Sequence, residues 1–297
     1  MKQRTLSRRS FLKLVAGSAV ASSAGTLGSF FYARDIEPGW VDVNPVSLRL
    51  PRLPGAFDGY RIVHITDLHA DGTWMTEARL DELVRLVNAQ QSDLVAVTGD
   101  FTTEAPELFG EAVARTLSRL EARDGVVGVL GNHDHWSDGA TSRQVLAASG
   151  IRELNDDLLT LRRGGAALHV AGLDDLWPIP LDAVLLAEHQ PRLDRLAARF
   201  GADEAAILLV HEPDFADISA ASGRFGLQLS GHSHGGQVRV PFYGPLVLPF
   251  LGQKYPAGLY RVGSMLQYTG RGLGLVAPQV RFNCRPELTV LTLSGEV

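Results

Sequence analysis

Cysteine is nearly absent from this sequence, which has Cys284 alone among its 297 residues. One cysteine cannot form an intrachain disulfide, so the fold must be stabilised by its core and by any ligand that it binds. Internal repeats and low-complexity blocks are lacking as well, which argues against a solenoid and against a largely disordered chain. The 45 % of apolar and 21 % of charged residues are ordinary for a folded, soluble protein.

Long unbroken apolar runs are also missing. The stretch from Leu14 to Ala33 is interrupted by Gly and Ser, which makes it a poor membrane-spanning helix. It follows the segment Ser7-Arg8-Arg9-Ser10-Phe11-Leu12-Lys13, and an arginine pair in this context is typical of a twin-arginine export signal. The sequence therefore predicts an export segment over residues 1–34 and one folded domain over residues 35–297.

Export implies the twin-arginine translocase as a partner and a periplasmic or other extracytoplasmic location. Ala19-Val20-Ala21 offers a small-residue cleavage site, whereas Phe30 and Phe31 could extend the segment into a retained membrane anchor. Both fates of the segment stay open at this point.

Positive charge is scarce beyond the export segment. Residues 1–34 hold six of the 28 basic side chains and none of the 33 acidic ones, so the remainder carries a net charge of −11. A domain this acidic, without a basic stripe, disfavours binding to long nucleic acids, and no nucleic-acid partner is expected.

Short apolar runs alternate with amphipathic stretches from Arg61 onward, which predicts an α/β fold. The region after His234 is expected to be rich in strands and turns. Helices are predicted after the capping residue Thr76, around Glu107 to Glu121, Thr141 to Ala148 and Leu181 to Phe200. The predicted strands are Arg61 to Thr66, Leu94 to Thr98, Val126 to Leu130, Leu168 to Ala171, Ile207 to Val210 and Leu227 to Leu229.

Polar clusters follow five of these strands, where loops converge in open α/β sheets. Imidazole, carboxylate and amide groups without thiolates suit Mn, Fe, Zn or Ni. We expect them to form a metal site. The clusters are Asp67-x-His69, Gly99-Asp100, Gly131-Asn132-His133-Asp134, His211 and Gly231-His232-Ser233-His234.

This ordered set resembles the five-block signature of the calcineurin-like metallophosphoesterases, and later motifs such as Gly235-Gly236-Gln237 are similar to the YkuE/YaeI-like branch. The resemblance implies a sandwich of two mixed β-sheets flanked by helices. It also implies two divalent metal ions bridged by Asp100. By this resemblance one ion is held by Asp67, His69, Asp100 and His234, and the other by Asp100, Asn132, His211 and His232.

The resemblance implies a phosphatase or phosphodiesterase that uses a hydroxide bridging the two ions. His133 is then the residue expected to donate a proton to the leaving oxygen or to stabilise the transition state, oriented by Asp67 or Asp134. His135 and Arg271 are candidate substrate contacts, with Trp136 and Arg281 as weaker ones. His64, His169 and His189 are expected to be structural.

The apolar, proline-broken stretch from Val238 to Leu251 follows the last histidine pair. We interpret it primarily as core, with an exposed lip that touches lipid as the alternative, in which case the substrate is a lipid-linked phosphate rather than a small phosphate ester. Such a lip would also bring peripheral membrane contact.

Two other functions compete with a phosphoesterase of small esters. One is a pyrophosphatase acting on a UDP-2,3-diacylglucosamine-type lipid precursor, which export disfavours because nucleotide-linked precursors are cytoplasmic. The other is a non-catalytic metal-binding envelope protein, which the complete set of ligand positions disfavours.

Overall fold

Two six-stranded mixed β-sheets dominate the computed structural model, which describes residues 26–176 and 189–295. The first sheet has the order β1-β14-β2-β3-β4-β5. Its strands are β1 (Asp42–Leu50), β2 (Arg61–Ile65), β3 (Leu94–Thr98), β4 (Val126–Val129), β5 (Arg152–Glu153) and β14 (Glu287–Gly295). Strands β2 to β5 are parallel, β14 is antiparallel to β2, and β1 lies parallel to β14 at the edge.

The second sheet has the order β12-β13-β9-β8-β7-β6. Strands β7, β8, β9 and β13 are parallel, and β6 and β12 are antiparallel edges. A short hairpin of β10 (Arg239–Val240) and β11 (Gly244–Pro245) stands apart. The strands of the second sheet are β6 (Asp157–Arg163), β7 (Ala166–Gly172), β8 (Ala205–Leu209), β9 (Leu227–Ser230), β12 (Gly258–Val262) and β13 (Met265–Thr269).

Besides the helical residues 26–31, five α-helices accompany the sheets in the described residues: α1 (Glu77–Asn88), α2 (Pro106–Leu117), α3 (Asn132–Ala148), α4 (Gln190–Ala197) and α5 (Ala216–Ala221). The predicted cap of α1 is confirmed, because the Thr76 side chain accepts a hydrogen bond from the Arg79 N–H. Helix α3 begins before the predicted Thr141, and non-helical backbone angles at Asp138 divide it into two parts, the second of which contains the predicted Thr141 to Ala148. Residues 181–188 of the predicted fourth helix lie outside the described residues.

Three apolar clusters separate the layers. The middle cluster lies between the two sheets, where Ile62 of β2 packs in one cluster with Ile207 and Leu209 of β8. The alternate residues face outward: Val63 packs with the helices of the first sheet, and Leu208 with those of the second. The resulting helix–sheet–sheet–helix arrangement confirms the predicted sandwich of two mixed sheets.

The chain enters this sandwich through a helical lead. Residues 26–31 are helical, and the turns Tyr32–Ile36 and Glu37–Gly39 follow. The buried Glu37 carboxylate accepts hydrogen bonds from the N–H groups of Asn283 and Cys284, and the Arg281 N–H donates to the Ala33 carbonyl at 2.8 Å. Most of the predicted export segment, residues 1–25, lies outside the described residues. Within residues 26–176 and 189–295, no helix combines the length and apolar character needed to cross a membrane.

A buried histidine between the sheets makes a testable contribution to stability. His64 Nε2 lies 2.8 Å from Thr98 Oγ1, and burial lowers the pKa of His64 to about 4. An unfolded histidine titrates near 6.5, so between these values the unfolded chain binds a proton that the folded chain does not, and stability falls as the pH drops. From about pH 7.5 to about pH 5 we expect the wild type to lose about 2 kcal/mol more unfolding free energy than His64→Gln, as measured by urea titration. Parallel pH curves for the two proteins would contradict this assignment.

Candidate metal centre

The seven predicted ligands converge where the two sheets present their carboxyl ends. Each follows a parallel strand, and each is at most 7 % exposed. Asp67 and His69 follow β2, Asp100 follows β3, Asn132 follows β4, His211 follows β8, and His232 and His234 follow β9. Loops from five strands of two sheets therefore meet at one buried point, as the α/β pattern predicts.

The backbone at this point is unusual. Positive φ angles occur at Asp67 (51°), His69 (49°), Asp100 (55°), His232 (69°) and His234 (50°). The left-handed region costs a residue with a side chain about 1–3 kcal/mol, and it persists only where the surroundings enforce it. Here lateral hydrogen bonds enforce it: the Asp67 N–H donates to the Gly99 carbonyl at 3.0 Å, and the His69 N–H donates to the Asp100 carbonyl at 2.9 Å.

Two glycines allow the loops to approach so closely. A Cβ atom at Gly231 would lie 1.9 Å from Thr66 Oγ1 and 2.4 Å from Asp67 Oδ2. A Cβ atom at Gly99, where φ is +87°, would lie 2.6 Å from His211 Nδ1. The glycine that precedes Asp100 or His232 in the sequence is therefore part of the site, because any side chain there would push a ligand away.

Two groups of ligand atoms share Asp100. In the first, His69 Nε2 lies 3.0 Å from His234 Nε2 and 3.4 Å from Asp100 Oδ2, and Asp67 Oδ1 lies 3.4 Å from His234 Nε2. In the second, the same Asp100 Oδ2 lies 3.2 Å from His211 Nε2. His232 Nδ1 lies 2.8 Å from Asn132 Oδ1 in that second group.

These separations fit a transition metal. Ligand atoms about 2.1 Å from an ion lie roughly 3.0 to 3.4 Å apart in octahedral or tetrahedral coordination, which matches the distances of the first group. Three overlapping sets of side chains could hold an ion, and one of them includes His133. The sets are Asp67, His69 and His234; His69, Asp100 and His133; and Asp67, Asp100 and His211.

His232 gives the clearest sign that a cation belongs here. Its Nδ1 faces the Asn132 oxygen at 2.8 Å, and its Nε2 faces the Phe250 carbonyl oxygen at 2.7 Å. Both neighbours are acceptors, but a neutral imidazole has only one N–H to donate. If Nε2 donates to Phe250, two lone pairs remain face to face at Nδ1 and Asn132, and a cation beside them would remove the conflict.

The electrostatics favour a neutral imidazole at two of the ligand histidines and a carboxylate anion at Asp100. Burial lowers the pKa of His69 to about 3 and that of His232 to about 4, so both are uncharged at neutral pH. Burial acts to raise the pKa of Asp100, but His211 and His69 hold it well below its usual range. Burial acts to lower the pKa of His211, and the Asp100 carboxylate raises it well above its ordinary value. Asp100 is therefore an anion under all ordinary conditions.

His133 borders the ligands without the partner that we expected. Its Nδ1 lies 3.1 Å from the Thr103 carbonyl oxygen, so neither Asp67 nor Asp134 orients it. The Asp134 carboxylate instead accepts from the N–H groups of Gly131 and Asp100 at 3.0 and 2.9 Å, which ties the β3 and β4 loops together. A backbone carbonyl such as that of Thr103 leaves no signal in the residue pattern, and this explains the wrong expectation.

A cavity of about 560 Å³ opens beside the centre. Its polar side is formed by Asp100, Asn132, His133, His232 and His234, and Trp136 also lines it. Six apolar residues, which we call the apolar wall, line the cavity as well: Val238, Leu246, Val247, Pro249, Phe250 and Val276.

The apolar wall corrects the interpretation of residues 238–251 as core. Leu246 is 56 % exposed and Val247 is 76 % exposed, although both border the cavity. Phe242 and Tyr243, which we call the tip, project into solvent outside the cavity lining. The stretch is built around the short β10–β11 hairpin, and its prolines exclude a regular helix.

The remaining candidates occupy ion pairs or structural contacts. His135 Nε2 lies 2.8 Å from Asp174, and Arg271 pairs with Glu287 and Asp42 at 2.7 Å each, so both lie outside the cavity lining. Their contact with substrate stays a prediction.

Arg281 has a structural place. It is fully buried and donates to the backbone carbonyls of Arg271, Gly272, Gly274 and Cys284, which excludes a direct contact with substrate in this arrangement. The three histidines expected to be structural also bond elsewhere: His64 to Thr98, His169 to Thr160 and His189 to Arg192.

Comparison with known proteins agrees with this geometry. YkuE, a metallophosphoesterase of Bacillus subtilis (strain 168), is 35 % identical over 98 % of this chain and 98 % of its own length. The phosphodiesterase YaeI of Escherichia coli (strain K12) is 29 % identical over 97 % of this chain and 99 % of its own. Residues 60–236, more than half of the chain, match the family of calcineurin-like phosphoesterases. With its ligand loops inside that matched region or at its end, the chain belongs to the calcineurin-like phosphoesterase family and is a metal-dependent phosphoric ester hydrolase.

Proposed function

We propose that the protein is a phosphodiesterase that works with two divalent transition-metal ions, Mn, Fe, Zn or Ni. The position of Asp100 carries this proposal, because its Oδ2 lies 3.4 Å from His69 Nε2 in one ligand group and 3.2 Å from His211 Nε2 in the other. A carboxylate shared by two groups of ligand atoms is what a pair of adjacent cations requires. The name of the relative YaeI supports diesters as substrates.

The proposed ligand sets follow the two groups. The first ion would be held by Asp67, His69, Asp100 and His234, and the second by Asp100, Asn132, His211 and His232. When bound, the two ions would supply a hydroxide nucleophile at neutral pH and neutralise charge on the phosphoryl oxygens. The chain itself buries all seven ligands, and Asp100, Asn132, His232 and His234 border the cavity from which a phosphate would approach.

His133 is the proposed proton donor to the leaving oxygen. The Thr103 carbonyl accepts the Nδ1–H, so Nε2 is the ring atom that can exchange a proton with substrate. The ring packs against those of His69 and Trp136, with centroids 4.8 and 4.9 Å away, and these contacts fix its orientation. His133 thus borders the cavity with one nitrogen committed to the backbone and the other available.

Removal of the shared ligand Asp100 or of Asn132, a ligand of the second ion, tests the metal centre. Asp100→Ala and Asn132→Ala should each lose bound metal and at least 10³-fold, on the order of 4 kcal/mol, of turnover, because each removal leaves buried lone pairs without their cation. Metal content would be measured by mass spectrometry, and turnover with bis-p-nitrophenyl phosphate after metal stripping and reloading. Glu111→Ala, which removes an exposed carboxylate on α2, is the control. Near-normal turnover in either ligand variant would sink the assignment.

His133→Ala should separate chemistry from metal binding. We expect unchanged metal content and a loss of roughly 10²- to 10⁴-fold in kcat, largest for esters with poor leaving groups that need protonation. The readout is kcat for a series of aryl phosphodiesters of increasing leaving-group pKa. Loss of metal in this variant would instead make His133 a ligand, which its distance to His69 and Asp100 also permits.

We further propose that the protein acts outside the cytoplasm after export by the twin-arginine route. The motif at Arg8-Arg9 supports this proposal. Residues 1–34 fused to a reporter that is active only after export should give signal, and Arg8→Lys with Arg9→Lys should abolish it. Reporter accumulating equally with both sequences would refute the route. Fractionation of the full chain would then distinguish a cleaved signal from a retained anchor.

A further inference from the structure

The apolar wall has no part in the proposed hydrolysis. Four of the proposed ligands and His133 line the cavity together with this wall. In the described part of the chain, the lining residues include no lysine or arginine. A substrate bound here therefore meets charge only at the metal centre and meets mainly apolar residues elsewhere in the lining.

The exposed apolar residues of the wall are contiguous, unlike isolated apolar residues on a protein surface. Leu246 and Val247 are neighbours, 56 % and 76 % exposed, and Trp136 across the polar side is 56 % exposed. Contiguous apolar surface at the rim of a site marks a place where an apolar group binds. Both residues belong to the cavity lining, so a group that covers them would adjoin the proposed ligands that line the same cavity.

Hydrogen bonds fix the position of the apolar wall relative to the metal centre. The Phe250 carbonyl lies 2.7 Å from His232 Nε2, so the wall directly supports a proposed ligand. The Leu246 N–H donates to the Val238 carbonyl at 3.1 Å, and the Asp214 carboxylate accepts from the Gln253 and Lys254 N–H groups beyond the wall. Its distance from the reacting phosphate is therefore set by the fold.

We propose that the substrate is an amphiphilic phosphodiester whose hydrocarbon chain lies along Leu246 and Val247. This inference rests on the proposed phosphodiesterase function. A nucleotide or polyphosphate would bring additional negative charges, which the lining residues do not pair. A hydrocarbon chain needs only the apolar area that the wall offers, and each methylene that it buries contributes about fourfold in binding.

Two p-nitrophenyl phosphodiesters test the proposal with the metal-loaded full chain. Methyl p-nitrophenyl phosphate and octyl p-nitrophenyl phosphate share the leaving group, and the octyl ester is used below its critical micelle concentration. If about three of its seven additional methylenes are buried, kcat/KM for the octyl ester should exceed that for the methyl ester roughly 50-fold. Equal values would overturn the inference and leave the proposed function standing. No turnover of either ester with Mn, Fe, Zn or Ni would overturn the proposed function itself.

Matched variants test whether the hydrocarbon chain of the substrate lies along Leu246 and Val247. L246S combined with V247S should cut the octyl preference to about fivefold or less, and the isosteric V247T should cut it partially, which keeps the test valid if the double variant fails to fold. F242S makes the same type of change at the tip, outside the cavity lining, and should retain the wild-type preference.

Two results would overturn the assignment of the wall to substrate. A loss of octyl preference in F242S equal to that in the double variant would indicate surface docking through the tip. A dimer in sedimentation velocity that V247S dissociates, together with no chain-length preference, would indicate that a second copy covers the wall.

Discussion

The burial of anionic and lone-pair donors at one point is the constraint on which this structure depends. Asp67 and Asp100 are at most 1 % exposed, and taking carboxylates out of water costs several kcal/mol each unless something compensates. Part of the compensation comes from backbone N–H groups, since His232 donates to Asp67 and His133 donates to Asp100 at 2.9 Å. The metal-ligand lone pairs that receive no hydrogen bond face one another. Metal affinity and folding stability must therefore be coupled in this protein.

The packing of the two sheets makes it possible to bury these metal-ligating groups at one point. Strands β2, β3 and β4 end beside β8 and β9 because the core between the sheets aligns them, and each ligand lies only two to four residues beyond the end of its strand. This arrangement requires a left-handed backbone conformation at five ligands. Asp134 and hydrogen bonds between neighbouring loops hold these conformations in place. The rigid core thus maintains a strained backbone that a flexible loop could not maintain.

The sequence predicted features that depend on residue type or on a regular apolar spacing. It did not predict features that depend on backbone atoms or on the position of an element in the fold. The apolar spacing in α1 predicted its buried face, Leu80, Leu83, Val84 and Val87, because a 3.6-residue period has one interpretation. Strand β1 escaped notice because Pro45 breaks the pattern, which only an edge strand tolerates. The carbonyls of Thr103 and Phe250, which hold His133 and His232, are invisible to residue type. The apolar wall was misread as core because composition reports hydrophobicity, not exposure.

The position of the wall also bears on how the chemistry would proceed. A hydrocarbon chain over Val247 would close the open side of the cavity and displace water next to the polar side, and electrostatic interactions strengthen when water is excluded. The Phe250 carbonyl extends the same connection to His232, so contact with the wall and the orientation of a ligand are mechanically joined. The helical lead attaches nearby, because the Tyr32 ring contacts that of Phe282, whose backbone pairs with Arg239 at the base of the hairpin. Apolar recognition by the wall and charge neutralisation at the metal centre would therefore act on one substrate molecule.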